Sequence, residues 1–326
     1  MCWETHSCGS FSLSVRLSVS GAELNVSQPR ITIVTLTREN PAELLVTLQS
    51  VAGQIEQPSR LIVVDGSSDN RAIAQEISER YSADYFWLEP NGIFDAMNFA
   101  VQQIPDRDLV WFLNSGDWLA GPSSVQMASR NIYKTEGVSW LVGACQINGN
   151  RTTWTYSRHH GAMSALLARV GLVYYPHPAS LARAGLIRKC GSFGKEYQIS
   201  ADYVLSLRML RKSRPLTTRG VLSVHNLDGF SSTNWEEGLQ EEHNARLLVF
   251  SDWKYLIAPV SAAVRKVRQK KQADQARAPL KSSACPLPEQ NRWCSEGNNE
   301  VWPECCLKSL GQQLPPDLCG GTDGAR

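Results

Sequence analysis

Length and composition set the first limits on this protein. The chain of 326 residues is long enough for one large domain or two modest ones, and its 42% of hydrophobic residues can bury a sizeable core, which excludes a wholly disordered protein. Its 33 basic and 31 acidic residues leave a formal charge of +2, so we expect no nucleic-acid partner bound through bulk charge. No stretch approaches the roughly 18 consecutive apolar residues of a transmembrane helix.

The two ends of the chain differ from its middle. All but two of the nine cysteines lie near the termini, the exceptions being Cys145 and Cys190. In residues 1–29, serines and Arg16 interrupt the apolar stretch that a signal peptide needs, so we predict a disordered leader. Residues 273–326 are rich in Pro, Gly, Ser, Asn and Gln, and their cysteines lack Cys-x-x-Cys spacing. We therefore expect a disordered tail with reduced thiols rather than a zinc site or a disulfide framework.

The first half of the chain alternates strands and helices. Short runs rich in β-branched residues predict buried strands, and apolar residues spaced three and four apart predict helices. In chain order the predicted elements are a strand at Ile31–Leu36, a helix over 40–53, a strand at Arg60–Asp65, a helix ending near Glu79, a strand at Tyr85–Leu88, a helix at Phe94–Ile104 and a strand at Asp108–Leu113. Such alternation is typical of right-handed βαβ units, so we predict an α/β fold with a mixed, mainly parallel sheet and flanking helices.

Polar residues stand where the buried strands end. They are Thr35, Thr37 and Glu39 at the first strand, Asp65 at the second, and Asn114, Ser115 and Asp117 after the last. Ligands of open α/β sheets bind outside the carboxyl ends of the strands, so these residues are candidates for a binding site. The loops contain neither Gly-x-Gly-x-x-Gly nor Gly-x-x-x-x-Gly-Lys-Ser/Thr, which argues against a dinucleotide oxidoreductase and a P-loop enzyme.

Two carboxylates in these loops have both a functional and a structural interpretation. Asp117 can hold Mg²⁺ or Mn²⁺, since such ions take few protein carboxylates and share their other ligands with phosphate and water, or it can cap a turn. Asp65 can accept hydrogen bonds from a nucleobase or ribose, or it can end its strand in an Asp-Gly turn. Residue chemistry alone leaves both alternatives open.

Two features of the second half are further candidates. Asp202 opens a predicted helix, where a rigidly held carboxylate can serve as a general base or act as a first-turn acid favoured by the helix dipole. The segment 251–272 is amphipathic and basic, and Pro259 interrupts it. Its residues 253–271 either contact an anionic membrane surface or dock on the globular domain with solvated Lys and Arg side chains.

Five strings in the chain resemble the family 2 glycosyltransferases, and more narrowly the bacterial branch that builds colanic-acid-type exopolysaccharides. They are Ile31-Thr-Ile-Val-Thr-Leu-Thr37, Val64-Asp-Gly-Ser-Ser-Asp69, Asn91-Gly-Ile-Phe-Asp-Ala-Met-Asn98, Phe112-Leu-Asn-Ser-Gly-Asp117 and Ala201-Asp202-Tyr203. The resemblance covers about residues 30–250. It implies the GT-A fold, with a nucleotide-binding half over about 30–120 and an acceptor half over about 121–250.

The resemblance also implies a role for each candidate residue. Thr35 and Thr37 would line the nucleobase pocket, Asp65 would hydrogen-bond the base, Asp95 and Asn98 would flank the donor sugar or diphosphate, Asn114 would lie near the diphosphate, Asp117 would hold the metal ion, and Asp202 would be the catalytic base.

The sequence departs from the usual family pattern in both halves. Asn114 and Ser115 stand where acids are often found, so metal binding would depend on Asp117 and the donor diphosphate. Val64 replaces the first acid of a frequent pair, and Glu39 replaces a usual Asn.

In the acceptor half, His177 resembles the family's His-Gln element, with Pro178 in place of Gln. His177 is therefore either an acceptor or phosphate contact or a structural histidine. Asp228 replaces the first Gly of a loop that closes over the donor. The string Ser82-Ala-Asp84-Tyr repeats the one at Asp202 by chance, and we assign it no role.

These features predict an inverting glycosyltransferase. It would use a UDP-, GDP- or dTDP-sugar with Mg²⁺ or Mn²⁺ and extend a saccharide acceptor, which in this family is often lipid-linked. The resemblance implies surface polysaccharide or lipopolysaccharide biosynthesis, in the cytoplasm or at the cytoplasmic face of the inner membrane. One alternative is a catalytically inactive homologue that acts as a scaffold in a membrane assembly complex. A sugar-phosphate nucleotidyltransferase is disfavoured, because it would need a Gly-rich loop after the first strand and Thr35–Asn40 contains no Gly.

Overall fold

A computed structural model describes residues 30–135, 137–149, 152–156, 162–226 and 234–277. The predicted leader over 1–29 and Asp228 lie outside these ranges, as does the predicted tail from residue 278 onward.

The first half forms a parallel sheet with connecting helices. Its strands are β1 (Ile31–Thr37), β2 (Arg60–Asp65), β3 (Asp84–Trp87) and β4 (Leu109–Phe112), and its helices are α1 (Pro41–Ala52), α2 (Arg71–Arg80) and α3 (Ile93–Gln102). The strands lie in the order β3-β2-β1-β4, and every pairing among them is parallel. The predicted elements of this half are therefore confirmed to within a residue or two at their ends.

Local chemistry explains why these elements start and stop where they do. Every residue of β1 is buried, as expected for a strand covered on both faces. Helix α1 begins behind Asn40, whose side chain accepts a hydrogen bond from the N–H of Glu43, and Pro41 occupies the first helical turn.

The second half extends the same sheet with mixed pairings. Its elements are β5 (Trp118–Leu119), α4 (Ser124–Tyr133), β6 (Trp140–Gly149), β7 (Thr152–Tyr156), α5 (Ala162–Arg169), β8 (Ser180–Arg183), α6 (Ala184–Lys189), α7 (Ala201–Lys212) and β9 (Leu216–Asn226). The order continues from β4 as β8-β6-β9-β5, with β7 paired to β6. Strand β8 is antiparallel to both neighbours, and β9 runs parallel to β6. The predicted α/β fold with a mixed sheet is confirmed.

Strand β8 begins directly after a proline-containing turn. The chain becomes a strand only at Ser180, and His177–Ala179 forms a 3-10 turn before it. Pro176 and Pro178 lack an N–H, so neither can donate to a sheet ladder.

Two helices complete the described chain. Helix α8 (Trp235–Val249) leads through a 3-10 turn at Ser251–Trp253 into α9 (Lys254–Arg277), which contains Pro259 and runs past the predicted boundary at residue 272. No single helix in the described ranges is long and apolar enough to cross a membrane. Glu236–Val249 and Ser251–Lys271 pass that test together by length and composition, and they are bent by 90°.

Candidate active site

The strand order places a crevice at the carboxyl ends of β1 and β4. Chain connections from β1 lead to β2 on one side, whereas β4 lies on the other side, so the loops after β1 and β4 diverge at this point. Ligands of doubly wound α/β sheets bind at such a point. The structure thus brings the loop that follows Thr37 and the loop at Asn114–Asp117 to the same edge of the sheet.

Asp65 is fully buried at the end of β2, and both of its oxygens accept hydrogen bonds. The N–H of Ser67 donates to Oδ1 at 2.8 Å, and the hydroxyl of Tyr85 donates to Oδ2 at 2.7 Å. Burial, together with this carboxylate, raises the pKa of Tyr85, so its hydroxyl stays protonated and able to donate. In this structure Asp65 organises its own loop, and its contact with a nucleobase stays a prediction.

Thr35 and Thr37 are buried near the carboxyl end of β1, beside the crevice. Thr35 is fully buried, and its Oγ1 has no hydrogen-bond partner within the described ranges. An unpaired buried hydroxyl is costly, and a ligand group could satisfy it. The hydroxyl of Thr37 lies 3.4 Å from Oγ of Ser115, which links the loops after β1 and β4. A nucleobase pocket at these threonines stays a prediction.

Glu39, which replaces a usual Asn, shapes the loop that follows β2. Its carboxylate accepts hydrogen bonds from the N–H groups of Ser68, Asp69 and Asn70, and its backbone has a positive φ of 54°. The bond from Ser68 is the main reason that the pKa of Glu39 is lowered. The carboxylate therefore occupies the anion-binding position in front of α2, where backbone N–H groups converge.

The loop after β4 is fixed by a residue of α1. The hydroxyl of Thr47 donates to the carbonyl of Asp117 at 2.7 Å and accepts from the N–H of Gly116 at 3.1 Å. Gly116 has a φ of +91°, which an L side chain rarely adopts, and a Cβ there would lie 3.0 Å from Oε2 of Glu43. Glycine at this position allows the sharp turn that presents Asp117 to the crevice.

Asp117 pairs with a histidine that the sequence analysis did not identify as a site residue. Oδ1 of Asp117 accepts hydrogen bonds from Nδ1 of His225 and from the N–H of Asn226, both at 2.9 Å. Trp118 pairs with Val224 in the antiparallel ladder of β5 and β9, so the residue before Trp118 faces the residue after Val224. The only signal for this contact in the sequence is the position of His225, a polar residue at the end of a mainly apolar run.

A divalent metal ion fits the oxygen donors of this loop. Asp117 is 4% exposed, and the buried Oδ1 of neighbouring Asn114 has no hydrogen-bond partner in the described chain. No group of three or more His, Cys, Asp or Glu within the described ranges could hold a metal ion. Mg²⁺ and Mn²⁺ suit such a sparse site because a bound diphosphate and water complete their oxygen ligands.

Asp202 lies in the same region as Asp117, although it comes from the other half of the chain. It stands in the first turn of α7, and the hydroxyl of Tyr174 donates to its Oδ2 over a long 3.5 Å. Burial lowers the pKa of His177, although Asp202 and Asp117 both oppose that shift. Burial also acts against a charged His225, but the same two carboxylates outweigh it and raise the pKa. Both carboxylates thus favour the charged form of both histidines, which supports a common site for the predicted base and the predicted metal ligand.

His177 is packed rather than exposed. Its ring stacks on Phe112 at a centroid distance of 5.3 Å and meets Phe193 edge-on at 5.9 Å. This packing supports the structural interpretation of His177.

A buried polar network supports the helix turn that carries Asp202. Tyr203 stacks on Tyr174 with ring centroids 5.6 Å apart, and its hydroxyl accepts a hydrogen bond from Arg246 at 2.7 Å. Arg246 also pairs with Glu242, which Arg268 of α9 approaches to 2.9 Å. Burial raises the pKa of Glu242, and the two guanidinium groups act in the opposite direction. Through the stacking of Tyr203 on Tyr174, this network positions the tyrosine whose hydroxyl donates to Asp202.

Asp95 and Asn98 connect α3 to the loop that precedes α7. Asp95 forms an ion pair with Lys195 at 2.7 Å. The amide of Asn98 donates to the carbonyl of Phe193 at 2.8 Å and accepts from its N–H at 2.9 Å. Both polar atoms of Asn98 therefore hold the backbone of this loop, and the predicted donor contacts of Asp95 and Asn98 stay predictions.

We expect Asn98→Ala to destabilise the protein by about 1–3 kcal/mol, because it leaves the backbone of Phe193 without both of its partners. Chemical denaturation measures the change. Asn131→Ala is the matched control, since that amide makes a single bond within α4 to the carbonyl of Met127. Equal stability of the two variants would contradict the positioning role of Asn98.

Comparisons with known proteins place the fold. No family model matches the chain. An uncharacterized glycosyltransferase of Mycobacterium tuberculosis strain H37Rv is 29% identical over 216 residues, which cover 63% of this chain and 78% of that protein. A counterpart from strain CDC 1551 matches equally well.

Solved structures agree in fold at low sequence identity. S. aureus TarS 1–349 superposes with a TM-score of 0.57 at 15% identity, covering 77% of this chain and 76% of that one. The chain spans 40% of the longer S. aureus TarS structure. A mannosyltransferase from Pyrobaculum calidifontis, in complex with GDP-Man and Mn²⁺, gives a TM-score of 0.51 at 14% identity over 77% of this chain and 81% of its own. The chain therefore has the GT-A fold of glycosyltransferases and is similar in sequence to proteins of that name.

Proposed function

We propose that this protein is an inverting glycosyltransferase that moves a sugar from a nucleotide-diphospho-sugar to a saccharide acceptor. The observation that supports it most is that Asp117, bonded to His225, and Asp202, bonded to Tyr174, both favour the charged forms of His177 and His225, although the two carboxylates come from different halves of the fold. A donor-side carboxylate and an acceptor-side base are what a single displacement at the anomeric carbon requires.

In the proposed reaction Asp202 takes the proton of an acceptor hydroxyl. The hydroxyl oxygen attacks the anomeric carbon from the face opposite the diphosphate, the bond from that carbon to the phosphate oxygen breaks, and the nucleoside diphosphate leaves with both electrons. Asp117 and Asn114 would hold Mg²⁺ or Mn²⁺, which when bound neutralises charge on the leaving diphosphate. Tyr174 orients Asp202, and the His225 bond orients Asp117.

For the donor we propose a class of nucleotide-sugars rather than a single compound. Structures of S. aureus TarS 1–349 contain UDP and UDP-GlcNAc, and the mannosyltransferase contains GDP-Man. A UDP-, GDP- or dTDP-sugar is therefore the donor class we propose, with Thr35, Thr37 and Asp65 as the base-side residues.

A donor screen by thermal shift tests this proposal, because a ligand that binds only the folded state raises its melting temperature. We expect at least one UDP-, GDP- or dTDP-sugar to raise the melting temperature, with a larger shift when Mn²⁺ or Mg²⁺ is present. Absence of a shift with every nucleotide-sugar tested would contradict the proposal.

A catalytically inactive scaffold is the second candidate, and the replacement of acids at Asn114 and Ser115 favours it. It predicts nucleotide binding without turnover in any acceptor mixture. Transfer or slow hydrolysis of the sugar by purified protein separates the two candidates.

We also propose a lipid-linked acceptor and a peripheral position at the cytoplasmic face of the inner membrane, as in surface polysaccharide assembly, and the exposed side of α9 supports the membrane contact. One side is docked: Ile257, Ser261 and Val264 are buried, and Arg265 and Arg268 bond to residues of α8. The other side exposes an apolar stripe, defined as Leu256, Val260 and Val267, with Lys266 and Lys270 exposed beside it. Docking and membrane contact through 253–271 therefore involve different faces of one helix.

A further inference from the structure

A basic cleft lies between α6, α7 and α8, and its α7 residues lie toward the end of that helix opposite Asp202. It has a volume of about 310 Å³, near the lower end of small-molecule sites, which run from about 300 to 1,000 Å³. Its cationic lining residues are Lys189, Arg208, Arg211 and Lys212, and its apolar ones include Leu248 and Val249. Among the described residues, no acidic side chain lines it.

The four cations of this basic cleft are not equally neutralised. Arg208 pairs with Glu196 at 3.1 Å, and Arg211 pairs with Asp252 at 2.8 Å. For Lys189 and Lys212 the described part of the chain provides no ion pair or hydrogen bond. Two ammonium groups thus share one cleft with two guanidinium groups, and an anion bound between them would relieve their mutual repulsion.

The rim of the basic cleft is apolar and adjoins the start of α9. Leu248 is 65% exposed although it lines the cleft, and Arg211 is bonded to Asp252, the residue before Trp253. Trp253 is itself 56% exposed, and the apolar stripe of α9 begins at Leu256. A ligand that fits this arrangement has a negatively charged head and an apolar body.

We propose that the basic cleft binds the phosphate headgroup of an anionic membrane lipid, with Leu248 and Trp253 set against the bilayer beside the apolar stripe. The inference rests on the proposed function for the membrane contact of α9, and it adds a second, headgroup-binding element. Basic residues near an anionic bilayer strengthen binding additively, whereas exposed Trp and Leu anchor a protein at the interface.

Co-sedimentation of the full chain with vesicles tests the proposal. One vesicle is neutral phosphatidylcholine, and the other contains phosphatidylglycerol. We expect tighter binding to the anionic vesicle and an affinity lower by about tenfold or more in Lys189→Gln/Lys212→Gln. The Gln pair removes charge from exposed helix ends without reversing it, and a melting curve confirms folding.

The matched control is Lys134→Gln/Arg219→Gln, which removes the same charge from an exposed position directly after α4 and another on β9. A cleft variant that binds anionic vesicles as tightly as this control would overturn the headgroup site. Inorganic phosphate that raises the melting temperature of the wild type but not of the cleft variant, without weakening vesicle binding at constant ionic strength, would also overturn it, in favour of a free phosphate.

Two further measurements separate this inference from the claims on which it rests. Leu256→Ser/Val260→Ser tests the apolar stripe: vesicle binding that weakens in this variant but not in the cleft variant leaves the α9 contact standing and overturns the cleft. Thermal shifts of the cleft variant with nucleotide-sugars report whether its donor site still binds them. We expect wild-type shifts, and a loss of these shifts would assign the cleft to the donor rather than to lipid.

Discussion

Asp202→Asn is expected to lower the rate of sugar transfer by about 10²–10⁴-fold, the usual contribution of a positioned general base. The amide keeps the size of the side chain and can still accept a hydrogen bond from Tyr174, so the first turn of α7 should remain folded. It cannot take a proton from the acceptor hydroxyl. Transfer kinetics with a saturating donor measure the loss, and donor binding by thermal shift should be unchanged.

The chain contains its own control for this experiment. Ser82-Ala-Asp84-Tyr repeats the residues at Asp202, but Asp84 is the first residue of β3 and pairs with Arg60 at the surface. Such exposed pairs contribute at most about 1 kcal/mol, so Asp84→Asn should leave transfer and stability nearly unchanged. Equal activity of the two Asn variants would remove Asp202 from the mechanism.

The Asp202→Asn experiment also distinguishes an active glycosyltransferase from an inactive scaffold. A scaffold that binds nucleotide without turnover has no transfer rate for Asp202→Asn to lower. If wild-type protein transfers or hydrolyses the sugar and the variant does not, the carboxylate acts on the reaction. If neither protein transfers or hydrolyses the sugar while both bind nucleotide, the result favours the inactive scaffold.

The first half of the chain was predictable because its strands are mainly apolar runs between polar loops. In β1 every residue is buried, so the run of β-branched and apolar residues directly marks a buried strand. The second half of the chain offers no such pattern. Strand β8 has four residues and follows two prolines, and β9 buries only Leu222, Ser223 and Val224 along its length. Its place beside β6 depends on long-range pairing that no local pattern encodes.

The candidate site was likewise predictable from the sequence only in part. Asp117 and Asp202 stand at element ends, so motif and position together identify them. The contact between Asp117 and His225 depends on the register of β5 against β9, which lie more than 100 residues apart in the chain. The bonds of Asn98 to Phe193 likewise join α3 to a distant loop. Residue types and motifs select the candidate groups, and tertiary pairing decides what each of them touches.

Asp117→Asn is expected to abolish the metal-dependent part of donor binding and to lower transfer by about 100-fold or more, since a metal ion at a leaving diphosphate contributes several kcal/mol. The amide Oδ1 can still accept from His225 and from the N–H of Asn226, so the local fold should persist. What is lost is the negative charge that would attract the cation. Thermal shifts with donor, measured across a Mn²⁺ titration, report this directly.

Asp108→Asn is the matched control because Asp108 precedes the same strand, β4, at its opposite end. It is 3% exposed and pairs with Arg30 and Arg107, so its replacement should lower stability but leave the Mn²⁺ response intact. If Asp117→Asn instead keeps the wild-type Mn²⁺ response, the metal is held elsewhere, and Asp117 serves only to pair with His225. That outcome would favour the turn interpretation of the Asn-Ser-Gly-Asp loop and would leave the unpaired amide oxygen of Asn114 as the remaining candidate metal ligand in this loop.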